Sequence, residues 1–124
     1  MRFAGYAAIF DAPDRGGDIV RKGAFAGAAA KDIPLFWQHD ARRPVGIIEH
    51  LAEDARGLRV IARVDEPQAA ALVGSGEIKG LSFGYRVRVA DNRTYRELKA
   101  LELIEISLVS EPMQPLARVH AVEM

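Results

Sequence analysis

Two long stretches of the chain alternate apolar with polar or small residues, IKGLSFGYRVRV at 78–89 and LKALELIEISLV at 98–109, with the turn-forming Asp91-Asn92-Arg93 between them. A period of two marks a strand with two distinct faces, and two such runs joined by a short polar turn predict antiparallel pairing. The same reading predicts a strand over Arg2–Phe10 followed by the loop DAPDRGGD, a strand over Ile33–His39, and a hairpin of Val45–Leu51 and Leu58–Val64 around EDARG. Helix signals are few. Pro67–Val73 has Asp65 or Glu66 to cap it, a proline for its first turn and Gly74 to end it in a left-handed conformation. The alanine-rich Ala24–Lys31 suits a second short helix, and the tail SEPMQPLARVHAVEM is expected to wrap the surface. Six or seven strands with one or two short helices predict a mainly β fold, a closed or nearly closed antiparallel β-barrel, because closure removes exposed edges.

A chain of 124 residues makes one domain spanning 1–124. Its 49% hydrophobic and 27% charged residues are ordinary for a globular protein. Seventeen basic residues balance seventeen acidic ones, so no global field favours nucleic acid or an anionic membrane. The absence of cysteine excludes disulfides, a thiol nucleophile and thiolate metal sites. No apolar run reaches the ~20 residues that span a bilayer, and MRFAGYAAIFDAPD breaks too early for a signal peptide, so the expectation is a cytoplasmic protein.

Within GLSFG, alternation sends Leu81, Phe83, Tyr85, Val87 and Val89 to a core face and Gly80, Ser82, Gly84, Arg86 and Arg88 to the other. Ser82 between two glycines is either a nucleophile that a substrate backbone can approach closely or a solvent-facing serine at a bulge. The pattern Gly-x-Ser-x-Gly also marks the nucleophile elbow of α/β-hydrolases, but that elbow needs a strand-to-helix turn with acid and histidine following it. Here the strand runs on as YRVRV, and only His120 follows, near the end. The elbow reading fails.

A serine nucleophile needs a base and a group that orients the base. Alternation through PLFWQHD places His39 on a face with Leu35 and Trp37, where it is either a core histidine or a base. Glu105 sits at the centre of LELIEISLV, a strand apolar on both faces, and a buried carboxylate requires a partner. That partner is an arginine in a structural ion pair or a histidine held in one tautomer. Ser107 shares the face of Glu105 and is the rival nucleophile; Ser75 lies in a Gly-Ser-Gly turn, His50 in a strand and His120 in the tail. The three histidines form no helical His-x-x-x-His pair, so neither metal catalysis nor a cofactor is expected.

Four stretches in this order, GYAAIFDAPDRGGDIVRKGAF, PLFWQHDARRPVGII, GEIKGLSFGYRV and LIEISLVSEPMQPLARV, resemble the prohead maturation proteases of tailed bacteriophages, distant relatives of the herpesvirus assembly protease, assemblin. The resemblance covers nearly the whole chain. It implies an assemblin-like β-barrel and a serine endopeptidase, with His39 in WQHD matching the family's catalytic histidine and Ser82 in GLSFGY its nucleophile. Glu105 falls where the herpesvirus relatives carry a second histidine. It further implies cleavage of scaffold or capsid-protein segments, and of the protease itself, inside proheads assembling in the host cytoplasm. A homodimer is expected by the same analogy. Backbone donors for an oxyanion are to be sought in the irregular segment Ser110–Arg118. Two other classes fit the strand pattern: a catalytically inactive structural or scaffold-binding head protein of the same fold, and a small β-barrel binding module.

Overall fold

A computed structural model describes all residues from Met1 to Met124. Its centre is the expected hairpin, longer than the alternation suggests. In chain order the strands are β1 (Arg2–Ile9), β2 (Asp18–Val20), β3 (Pro34–Trp37), β4 (Asp40–Glu53), β5 (Gly57–Val64), β6 (Gly80–Asn92), β7 (Arg96–Val109) and β8 (Val119–Glu123), with one α-helix, α1 (Pro67–Gly74). The sheet runs β2-β7-β3-β4-β5-β1-β8, with β6 paired to the other side of β7. Most pairings are antiparallel, but β2 and β3 both run parallel to β7. The sheet does not close through a continuous ladder, a correction to the closed form of the predicted barrel. Between β6 and the segment leading into β8 there is one bridge, Gly80 to Arg118, flanked by Leu81 N–H donating to Ala117 O (2.9 Å) and Val119 N–H to Lys79 O (2.8 Å).

The core lies inside this curled sheet. Phe3 and Ala7 of β1, Leu35 of β3, Val45 and Ile48 of β4, Leu58, Val60 and Ala62 of β5, Leu81 of β6 and Ile106 and Leu108 of β7 are buried together, with Ala69 and Val73 of α1 packed over one end. Truncating any of the large ones to alanine would cost about 2–5 kcal/mol. Glu66 caps α1 as its sequence suggests, its carboxylate accepting from Gln68 N–H and Ala69 N–H. The left-handed glycine that follows is Gly76 (φ 82°), not Gly74, which still belongs to the helix.

Three further expectations are corrected. Ala24–Lys31 forms turns and a single 3-10 turn at Ala30–Asp32 instead of a helix. A segment this short is a marginal helix by itself, and Gly23 and Gly27 take left-handed conformations there while the Glu53 carboxylate accepts from Gly23 N–H (2.6 Å) and Phe25 N–H (2.9 Å). The tail is not merely a surface wrap, because β8 adds to the edge of β1. Beyond Tyr85 the apolar face of β6 leaves the core: the register with β7 shifts at Gly84/Tyr85 and again at Val87/Val89, and Val87 and Val89 stand 40% and 51% exposed.

Candidate active site

The register of β6 against β7 arranges the site. Ser82 pairs directly with Ser107 and Gly84 with Glu105, so these four residues share one face of the hairpin, while Leu81, Phe83, Ile106 and Leu108 fill the other. Immediately beyond, Tyr85 pairs with Leu103, leaving Ile104 as the extra residue of a bulge, 40% exposed despite its apolar neighbours in sequence.

His39 reaches the same face from the opposite side of β7. β3 runs parallel to β7 with Trp37 beside Leu108, and Gln38 N–H donates to Leu108 O (2.9 Å). The strand ends at Trp37, not at His39 as expected. Gln38 (φ 50°) and His39 (φ 61°) are both left-handed and turn the chain back into β4. This turn, and not strand alternation, aims the imidazole.

His39 Nδ1 lies 2.5 Å from Glu105 Oε1. Glu105 is 7% exposed and has no arginine partner; its other oxygen, Oε2, accepts a hydrogen bond from Ser107 Oγ (2.7 Å). The buried carboxylate has therefore resolved its cost through the histidine, as one of the two sequence readings held. The hydrogen bond to Glu105 raises the pKa of His39 above the ordinary histidine value, against a smaller opposing effect of burial. With Nδ1–H committed to Glu105, the free lone pair of a neutral imidazole is on Nε2.

Ser82 and His39 line one cleft of about 130 Å³, together with Ala7, Asp14, Phe83, Tyr85, Met113 and Gln114 among others. No direct hydrogen bond joins Ser82 to His39, a contact that commonly forms only as substrate settles. Ser107 is wholly buried and both accepts from His39 N–H (3.0 Å) and donates to Glu105, so the rival nucleophile is sealed from any substrate. His50 and His120 lie on the exposed surface of β4 and β8.

Part of Ser110–Arg118 also reaches the cleft. Gln114 is 5% exposed, and its side-chain amide mimics a strand partner for Ile9, accepting from Ile9 N–H (2.7 Å) and donating to Ile9 O (2.8 Å) and Ala12 O (3.3 Å). Arg15 N–H donates to Met113 O (2.9 Å). Pro112 packs against Gly80, where an added Cβ would meet its Cδ at 2.8 Å. The first glycine of GLSFG thus admits this segment and the second admits the Glu105 carboxylate. Sequence reading missed Gln114, a polar residue between two prolines with no periodic signal.

A family model of caudovirus prohead serine proteases matches residues 1–124. The chain belongs to this family. Among its relatives, the prohead protease of Enterobacteria phage HK97 is 31% identical across 98% of the chain, and that of Escherichia phage T5 is 31% identical across 80%. The chain spans 60% and 52% of the lengths of these two relatives. Solved structures with the same fold include the KSHV protease in complex with a hexapeptide phosphonate inhibitor (TM-score 0.62, 10% identity, 95% of this chain and 63% of that one) and the varicella-zoster virus protease (TM-score 0.62, 15% identity, 96% and 62%). The mainly β architecture expected from the sequence is therefore that of a herpesvirus protease, with the sheet open as described.

Proposed function

We propose that the chain is a serine endopeptidase of head maturation, in which Ser82 attacks a peptide carbonyl, His39 carries the proton and Glu105 orients and charges the imidazole. The observation that carries this reading is the short His39–Glu105 hydrogen bond at the mouth of a cleft that also contains Ser82. In the first half-reaction Ser82 Oγ bonds to the carbonyl carbon as its proton passes to His39 Nε2. The tetrahedral adduct then collapses, and the imidazolium returns that proton to the departing amine. Water repeats the sequence on the acyl-enzyme, releasing the new carboxyl end and restoring Ser82. Glu105 keeps its hydrogen bond to Nδ1 throughout and stabilises the imidazolium. We assign the oxyanion donors to backbone N–H groups at Met113 and Gln114, the part of the 110–118 segment that lines the cleft; one such donor is worth roughly 3–4 kcal/mol.

The substrate is an extended segment of capsid or scaffold protein within the prohead, and of the protease itself. Apart from the bridge at Gly80, β6 pairs only with β7, so its outer edge beside and beyond Ser82 is open to an added strand. A fluorophosphonate probe tests the chemistry: labelling at Ser82, lost in Ser82→Ala and His39→Ala, is expected. Absence of label in the wild-type chain, together with an untrimmed capsid protein on co-expression, would instead favour a catalytically inactive scaffold-binding head protein.

A further inference from the structure

We propose that Ser107 is a positioning residue that fixes both the backbone and the ring orientation of His39, a role that rests on His39 being the base. Its hydroxyl closes a ring of three hydrogen bonds. His39 N–H donates to Ser107 Oγ (3.0 Å), Ser107 Oγ donates to Glu105 Oε2 (2.7 Å), and Glu105 Oε1 meets His39 Nδ1 (2.5 Å). The histidine is thus held at two points, main chain and imidazole, by two neighbours on one face of β7.

A buried hydroxyl needs partners in any fold, so pairing alone does not distinguish a positioning role from simple satisfaction of burial. The identity of the partners does. Ser107 could have returned its proton to a β-strand carbonyl, yet it bonds the carboxylate that faces His39 and the amide of that same histidine. The turn also requires such a device. Two consecutive left-handed non-glycine residues are held only where the surroundings over-determine them. Gln38 is secured by Leu108 O and by its side-chain contacts with Ser110 (3.3 and 3.4 Å), whereas the His39 amide has Ser107 Oγ alone. Without that oxygen the turn relaxes, and the imidazole swings from Glu105.

Ser107 is 0% exposed and does not line the cleft, so it cannot act through substrate binding. Its loss should lower the chemical rate while leaving KM unchanged. Misplacement of a reacting group by about 1 Å costs on the order of 100-fold. Ser107→Ala is therefore expected to slow kcat and fluorophosphonate labelling of Ser82 by about 10- to 100-fold. Because the Glu105 bond is what raises the His39 pKa, loosening the ring also moves the acid limb of the pH–rate profile, and the His39 titration seen by ¹⁵N NMR, to lower pH. Ser107→Thr keeps the hydroxyl and should restore both; Ser107→Cys, similar in size with a weak donor, should fall between and serves if the alanine variant does not fold.

The NMR titration judges the inference without any need for activity. Wild-type rates and an unmoved His39 titration in Ser107→Ala would overturn it. So would a slower enzyme with an unmoved titration, which would mark a merely structural serine, or a titration moved to higher pH, which would reduce Ser107 to a donor for Glu105. Failure of the wild-type chain to label would overturn the protease reading, while the ring would still stand or fall on the His39 titration.

Discussion

Gly84 lies directly across the β6–β7 ladder from Glu105, and a Cβ at residue 84 would stand 2.5 Å from Glu105 Oε1. The atom displaced is the one that holds the imidazole. Gly84→Ala should therefore act as an indirect mutation of Glu105: overpacking of about 1–3 kcal/mol, at least a tenfold drop in Ser82 labelling, and a His39 titration moved down toward its ordinary value. Chemical denaturation, labelling kinetics and NMR on one preparation check all three.

Glu105→Gln keeps the shape and removes one acceptor. Two donors, His39 Nδ1–H and the Ser107 hydroxyl, now converge on a carboxylate with an oxygen for each. An amide can accept only one of them at its oxygen, and its NH₂ confronts the other. Where the NH₂ faces Nδ1, the favoured imidazole tautomer reverses, putting the proton on Nε2. A loss of about 10⁴ in kcat is expected, with circular dichroism unchanged.

Activity and stability should diverge with pH. His39 is raised above its unfolded value of about 6.5, and in the proposed mechanism it must be neutral to accept the serine proton. The acid limb of kcat/KM should therefore lie above pH 6.5. The stabilisation from the protonated pair runs the other way: it is fully present below the unfolded pKa and is lost as pH rises through the folded one. Thermal denaturation across pH 5–9 should show this loss in the wild type and not in His39→Ala.

Gln114→Ala would orphan both backbone groups of Ile9, which is 8% exposed, as well as Ala12 O. Each unpaired group costs about 1–3 kcal/mol. Gln114→Glu keeps the acceptor for Ile9 N–H but turns a second oxygen toward two carbonyls. Both variants should be less stable in urea and slower to label, the glutamate being the test that separates hydrogen bonding from volume.

The Glu105–His39 contact was legible because it is a matter of cost: a carboxylate in a strand apolar on both sides must find a partner, and few residues qualify. The face shared by Ser82, Gly84, Glu105 and Ser107 was legible too, since period-two alternation survives wherever the ladder is regular. It failed beyond the bulges, where the apolar face of β6 leaves the core, and so misplaced Val87 and Val89. The conformation of His39 was hidden for a different reason. No local propensity favours two left-handed residues in Gln38-His39; tertiary hydrogen bonds from β7 impose them. Alternation correctly put Ser107 on the face of Glu105, but its complete burial and its bonds to His39 and Glu105 are tertiary and were not legible. β8 escaped because its pairing with β1 joins opposite ends of the chain.

The pair of left-handed residues before β4 carries a consequence for how such a protein can change. Each costs about 1–3 kcal/mol, which the rest of the sheet must offset to hold the His39 turn. Glycine at position 38 would release some of that tension and harden the fold against heat while blunting the aim of the base. If His39 is the base proposed above, thermostability and accuracy of proton transfer are set in opposition at a single turn, and heat tolerance and catalytic rate would pull residue 38 in opposite directions.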